Sequence, residues 1–374
     1  MSSLQLFPEV IDGSTLGPSF SQPQFLPIAI EGQADSAGTG VVGSLYTILR
    51  PSEADTYFGP ASSLATLVKF VLNRGISPVI ATISAKGTVP NSTQRNAAWD
   101  LLESDVTARI RLTDSTTQAD LVALADSCEA AELIQNKQFA VVGMPTGTSK
   151  TNYTAAATAI ASKRAVLVAP AVVDSDGSVL SGAFAAAAVA VQVSANPDPT
   201  DDLDLSEIPN LTSIEKDSAG LDVFRIKVVS GTVTNDFEDL LQGGVSPLMP
   251  GRAGGVAISH LRMAYTTDGT FDALMTRVIV DQTFVNVREY CYDFNALRRG
   301  NTAENRELLR SGIEALLIEH QSWVRPLTQP DGTAGYNVSV VASPDERQMI
   351  VKYQGQVIRG VQTILIDADL FIAV

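Results

Sequence analysis

Apolar residues recur along this chain with two periods, and each change of period marks an element. In the last third, residues 245–374, Val256 to Met263 reads as a short apolar strand. Thr266-Thr267-Asp268-Gly269 ends it, and Thr270 stands where an N-cap belongs. A long helix is predicted from about Phe271 to Tyr292. Phe271, Leu274, Met275 and Val278 keep 3–4 spacing, and so do Val280, Phe284, Val287 and Cys291 on a shifted face, so this helix has more than one neighbour. A second helix, 303–322, carries Leu308, Leu309, Ile313, Leu316 and Leu317 in one stripe. Strands then close the chain: Tyr336 to Val340 alternates with period two, 348–354 follows a turn, and 356–366 is long enough to bend at Gly360.

Upstream, residues 27–84 read strand, strand, helix, strand. The strands are Pro27–Gly32, Gly40–Leu49 and Ser77–Ile83. The helix is capped by Ser62 or Ser63, striped by Leu64, Leu67, Val68, Val71 and Leu72, and closed at Gly75. Residues 85–95, with Gly87, Pro90, Asn91 and Ser92, read as a junction. Beyond it come a helix at 93–103, a strand at 109–112, a helix at 118–133, buried strands at 139–143 and 164–170, and alanine-rich helices at 152–162 and 181–192. Strand–helix alternation with short joints predicts a parallel sheet with right-handed crossovers. A strand at 222–229 and a helical turn at 236–242 lead back to the last third. Residues 1–25, with Pro8, Pro18 and Pro23, read as an extended arm or tail.

Composition narrows the classes. The 374 residues, 45% hydrophobic and 18% charged, describe a globular protein of two or three domains. A net charge of −15 without Lys/Arg clusters argues against nucleic acid as a partner. The N-terminus lacks the pattern of a signal peptide, and the apolar run Gly182–Val193 is too short for a membrane span. The two cysteines, Cys128 and Cys291, read as free buried thiols in a reducing compartment.

Candidate chemistry is sparse. Val142–Thr151 follows a buried strand and precedes a helix, the setting of a phosphate-binding loop. However, Ser149 stands where a glycine must precede Lys150, and Met144 replaces the first glycine. His260 and His320 are the only histidines. They form no metal-ligand spacing with the cysteines, and each reads as a packing or surface residue. Asp198, Asp201, Asp202 and Asp204 read as a solvated acidic loop. Gly-x-Ser-x-Gly is absent. The most basic local feature is Arg277 and Arg288 on the long helix with Arg298-Arg299 after it. It reads either as a solvated helix face or as a salt-bridge row toward an acidic neighbour.

Taken in order, these elements resemble the contractile tail sheath family, the outer cylinder of contractile-tailed bacteriophages. Ser44–Ile83 resembles the family's N-terminal block, with Glu53-Ala54-Asp55-Thr56-Tyr57-Phe58-Gly59 before the apolar helix and Asn73-Arg74-Gly75 after it. Gly244-Val245 and then Leu261-Arg262-Met263-Ala264-Tyr265-Thr266-Thr267 resemble the approach to its C-terminal domain. The long helix and final strands complete the likeness over most of 40–374. Phe7-Pro8-Glu9-Val10 stands in place of the family's Tyr-Pro-Gly-Val-Tyr opening. The chain is short for the family, implying a core with one modest insertion.

The resemblance implies a multidomain α+β sheath fold. It has an arm at 1–25, a discontinuous α/β core from 26–84 and 241–355, an inserted outer α/β domain at 85–240, and a C-terminal strand at 356–374. It implies a structural subunit, not an enzyme, without cofactor or metal. Stacked hexameric rings would surround a tail tube and contract to drive it through the host envelope during genome ejection. Partners would be further copies, the tube protein, and baseplate and tail terminator proteins, with no nucleic acid and no membrane insertion. The subunit would sit in the virion tail after assembly in the host cytoplasm. Phe7, Val10, Ile358, Ile364 and Ile366 are the implied inter-subunit strand residues, joined by β-augmentation. Arg277, Arg288, Arg298 and Arg299 are the candidate tube-facing contacts. The rival is an open α/β nucleotide-binding protein using Gly143–Thr151. Another virion component, of tube or baseplate, fits less well because the strands at 139 and 164 are buried among helices.

Overall fold

A computed structural model describes residues 26–105, 107–196, 203–229, 232–252, 254–264, 273–296, 301–321, 324–328, 334–342, 349–354 and 356–357. They divide into two compact units, 26–274 and 275–357.

The first unit is built on strands β1 (Ile28–Ala34), β2 (Leu45–Ile48), β3 (Val79–Lys86), β4 (Ile110–Thr113), β5 (Phe139–Gly143) and β6 (Ala165–Ala169). Short strands β7 (Val172–Asp174), β8 (Val179–Leu180), β9 (Glu207–Ile208) and β10 (Leu211–Ile214) follow, then β11 (Ile226–Val229), β12 (Thr232–Asn235), β13 (Ser246–Pro250) and β14 (Val256–Ile258). Its helices are α1 (Pro51–Phe58), α2 (Ser63–Leu72), α3 (Ser92–Glu103), α4 (Gln118–Leu133), α5 (Lys150–Ile160), α6 (Gly182–Ala195) and α7 (Asp236–Gln242). Nine strands form one sheet in the order β2-β3-β1-β4-β5-β6-β13-β14-β9. From β3 through β13 all pairings are parallel, and β2, β14 and β9 are antiparallel edges. The parallel strands β3, β4, β5 and β6 are buried almost throughout, as sheets covered on both faces require.

The chain leaves β1 for β3 through α1 and α2, then returns across β1 to β4, β5 and β6 through α3, α4 and α5. Right-handed crossovers in opposite directions put α2 and α3–α5 on opposite faces. α6 returns to the α2 face, where Phe70 and Phe184 meet edge to face at 5.2 Å. Local sequence explains the helix ends: Ser62 caps α2, Asn91 and Gln94 form a capping box on α3, and Gly75 takes the positive φ of +91 that its place after α2 demands.

Two expectations need correction. The junction at 85–95 is not a domain boundary, because β4, β5 and β6 join β1 in the same sheet. A linker and a short loop ending in an N-cap share one composition, so Gly87, Pro90 and Asn91 did not distinguish them. Residues 241–274 also continue this sheet through β13 and β14, rather than opening a second domain. The strand read at 40–49 shortens to β2, and β12, the partner of β11, was unread.

The second unit contains α8 (Leu274–Ala296) and α9 (Ala303–Glu319), with strands β15 (Val324–Arg325), β16 (Leu327–Thr328), β17 (Ala334–Gly335), β18 (Asn337–Ala342), β19 (Met349–Gln354) and β20 (Gln356–Val357). The strands pair only by twos: β15 with β20, β16 with β17, and β18 with β19. Val287 and Phe294 of α8, Leu309, Ile313, Leu316 and Leu317 of α9, and Val338 of β18 form its core. The predicted α9 stripe is therefore the buried one. Thr270, the arm 1–25 and the run 358–366 lie outside the described residues.

Candidate functional site

Open α/β sheets bind ligands beyond the carboxyl ends of their strands, where successive connections leave for opposite faces. Here that place lies between β1 and β4, and the protein's own side chains fill it. Glu31, in the middle of β1 and paired with Thr113 at the end of β4, is fully buried and accepts two hydrogen bonds from Arg95 Nη1, at 2.7 and 2.9 Å. Arg95 rises from the first turn of α3. Its Nη1 also donates to Asp114 Oδ1 at 2.9 Å, and its Nε lies 3.1 Å from Asp120 Oδ2. The Thr113 hydroxyl donates to Glu31 at 2.7 Å. Asp114 accepts from the Gln33 N–H at 2.7 Å and from the Ser63 hydroxyl. One guanidinium thus holds three carboxylates and ties β1, β4, α2, α3 and α4 together. Gly32 makes room for it, since a Cβ there would lie 2.7 Å from Asp114 Oδ2.

Burial pushes the Glu31 carboxyl up to about 7, and the neighbouring Asp114 charge adds to the rise against the pull of Arg95. Among the described residues no cluster of His, Cys, Asp or Glu is arranged to hold a metal ion. Glu31 in an otherwise apolar strand was the one sequence signal of this network, and the reading passed over it.

The loop Gly143–Thr151 is likewise internally occupied. The Gly147 N–H donates to Glu215 Oε1 at 2.7 Å. Ser149 caps α5 by accepting from the Asn152 N–H at 3.3 Å. Lys150 Nζ donates to Asp236 at 2.8 Å and to Asp239, while Asp236 also takes Lys227 at 3.1 Å. Burial raises the Asp236 carboxyl pKa, but these hydrogen bonds outweigh it and hold the group below its ordinary range. Gly143 has a packing role: its missing Cβ would stand 2.1 Å from the Gly182 carbonyl oxygen, so β5 and α6 meet backbone to backbone.

The other singled-out residues are scattered. His260 lies 2.9 Å from Asp204, which is the described member of the acidic run. His320 is buried in the second unit with its Nε2 3.1 Å from Asn286 Nδ2, and burial lowers its pKa. Cys128 and Cys291 are free, the first buried and the second half-buried. Arg277 is buried, whereas Arg288 is half-buried with its guanidinium 5.9 Å from the Phe284 ring. Arg298, Arg299, Phe7, Val10, Ile358, Ile364 and Ile366 lie outside the described residues. No described helix is long and apolar enough to cross a membrane.

No protein-family model matches the chain, and no curated protein matches it in sequence. Solved structures do match. A chain of the anti-feeding prophage baseplate aligns with a TM-score of 0.70 at 11% identity, covering 93% of each chain. A sheath tail protein from Listeria innocua aligns with a TM-score of 0.66 at 12% identity, over 94% of this chain and 95% of its own. The contracted helical sheath of the anti-feeding prophage aligns at 0.65 and 13% identity, over 92% and 93%. The likeness therefore runs nearly end to end in both directions, and the chain is not shortened relative to these proteins. At such identities it is a likeness of fold, and the fold of this chain is that of the contractile tail sheath proteins.

Proposed function

We propose that this chain is the structural subunit of a contractile tail sheath, acting mechanically rather than catalytically. The observation that carries this reading is the end-to-end fold likeness to sheath chains, one of them from a contracted helical sheath. The subunits polymerise as stacked hexameric rings around a tail tube, dock on baseplate and terminator proteins, and contract to drive the tube through an envelope. Residues 1–25 and, beyond β20, which pairs with β15 of its own chain, the rest of 356–374 act as strands lent to neighbouring subunits, with Phe7, Val10, Ile358, Ile364 and Ile366 setting register. Two-stranded sheets in the second unit, with open edges among the described residues, suit such completion. Arg277, Arg288, Arg298 and Arg299 are the proposed tube contacts, of which Arg277 is buried and Arg288 half-buried in the isolated subunit.

Imaging of the purified protein in vitreous ice tests this. Hollow six-fold cylinders, lost when residues 1–25 are deleted, are expected. Cylinders that survive the deletion would remove the arm from the linkage. A monodisperse monomer at high concentration, even with tube protein added, would overturn the sheath reading.

A further inference from the structure

His320 stands at the corner where α9 gives way to β15. It is the C-cap of α9: its N–H donates to the Leu316 carbonyl at 3.1 Å, and its own carbonyl accepts from the Val324 N–H at 3.0 Å. β15 starts at Val324 and pairs with β20. The His320 ring is held by a chain of amides on α8. Gln282 Nε2 donates to Asn286 Oδ1 at 2.8 Å, and Asn286 Nδ2 lies 3.1 Å from His320 Nε2. All three side chains are buried. An amide NH2 group can only donate, so Nε2 is the acceptor and carries no proton. The chain therefore requires a neutral imidazole.

The surroundings decide what a proton would do there. Ile279 of α8 and Val324 of β15 pack together at this corner with Tyr336 against them, and the Tyr336 hydroxyl donates to the Val324 carbonyl at 2.6 Å. On α8, Arg277 and Asp281 are turned about 100° or more from the Gln282–Asn286 face. Glu289 of α8 and Arg325 of β15 are exposed. Glu319, exposed beside the ring, favours a positive charge on it. The last carbonyls of α9 favour that charge as well. Burial outweighs Glu319 and holds the ring below its ordinary pKa. The groups that attract a cation thus lie toward solvent, and the groups that hold the ring in place lie inside and repel one.

We infer that His320 is an acid-operated latch that fastens the end of α9 and the start of β15 to α8. A proton taken from solvent onto Nε2 sets one N–H against another. Turning over both amides would offer an oxygen but leave the charge buried, so the ring swings out toward Glu319 and solvent. The last turn of α9 then loses the side chain that ties it to Asn286. The unfolded chain takes up this proton near pH 6.5 and the folded chain only at lower pH. The latch's contribution is therefore complete above that pH and is lost as pH falls below it. The inference concerns the second unit alone and does not depend on the sheath reading.

The test uses the full chain carrying nitrogen-15 histidine, with the His260 signals identified by their loss in His260→Gln. The imidazole nitrogen shifts should show His320 protonated on Nδ1 and bare on Nε2 at about pH 7.5, with a titration midpoint below 6.5. Hydrogen exchange, corrected for the intrinsic effect of pH, should show residues 309–321 losing protection about threefold or more between roughly pH 7.5 and 5. His320→Gln keeps an acceptor for Asn286 and cannot titrate, so its protection there should not change with pH. A proton on Nε2 near neutral pH, or a midpoint at or above 6.5, overturns the latch, and this measurement on the wild type decides even where the variant fails to fold. No loss of protection in the wild type, or an equal loss in His320→Gln, overturns it too.

Discussion

The two units solve the problem of stability differently. The first, 26–274, covers a nine-stranded sheet with helices on both faces and places a buried ion network where its topology would leave a crevice. The second, 275–357, has two helices over a small core, with strands paired only two by two. Val338, Val340 and Val351 face the α9 stripe, but no third strand flanks β18–β19 among the described residues. A two-stranded sheet is marginal by itself. The first unit thus holds its core within a broad sheet covered on both faces, and the second keeps, among the described residues, open edges of the kind that strands from other chains complete.

The sharpest way to break this comparison is Arg95→Met. It leaves Glu31, Asp114 and Asp120 crowded and buried without their cation, so unfolding in urea should show a loss of about 3–5 kcal/mol. The matched change in the second unit, Arg310→Met, removes exposed helix-surface pairs to Glu307 and Glu314 and should shift nothing measurable. If both substitutions cost the same, the contrast fails.

Glycines sharpen it next. Gly182→Ala places a Cβ 2.1 Å from the Met144 carbonyl oxygen and 2.6 Å from backbone atoms of Gly143 and Met144, and neither strand nor helix can yield locally. A cost of about 2–3 kcal/mol is expected from overpacking. Gly312→Ala in α9 meets the hydroxyl end of Tyr290, which can swing aside, and the gain in helix propensity offsets the clash. Its melting temperature should stay close to that of the wild type.

The pH dependence of the first unit follows from two of its carboxylates. Glu31 is raised to about 7, so between pH 4.5 and 7 the native state binds more protons than the unfolded chain, and stability falls as pH rises through that window. Glu132 is held down to about 2 by its hydrogen bonds to Arg164 against the opposing effect of burial. Its contribution is present above pH 4.5 and is lost as pH falls toward 2. Glu31→Gln should therefore flatten the neutral limb and leave the acid limb intact. A neutral limb that persists in Glu31→Gln would mean that another group carries it.

How much of this was legible depended on whether one residue's pattern sufficed. The α2 and α9 stripes, the continuous apolar runs of β5 and β6, and the Gly75 turn each follow from residues adjacent in sequence. The ion network does not, because Glu31, Arg95 and Asp114 come from separate elements. Arg109-Ile110-Arg111-Leu112 reads as an alternating strand, a pattern that ordinarily leaves the charged positions exposed. Instead Arg111 is fully buried, with its guanidinium donating to the Trp99 carbonyl and the Ser127 hydroxyl, both at 2.9 Å. Nothing local announces those partners. The loop at 143–151 was legible as a misfit for phosphate, but the reason for Gly143 lay 39 positions away in Gly182.

That loop also gives the smallest predicted effect. Lys150 is about one-third exposed, and its carboxylate partner Asp236 keeps Lys227 when Lys150 is lost. Lys150→Ala should therefore cost below about 1 kcal/mol in unfolding measurements. Calorimetric titration with magnesium ATP should give no binding heat for either wild type or variant, because the lysine and the Gly147 N–H that would meet phosphate already serve Asp236, Asp239 and Glu215. Saturable binding by the wild type, abolished in Lys150→Ala, would mean that these internal bonds open for a ligand. The first unit would then be a responsive part, and its contrast with the open-edged second unit would no longer separate rigid body from linkage.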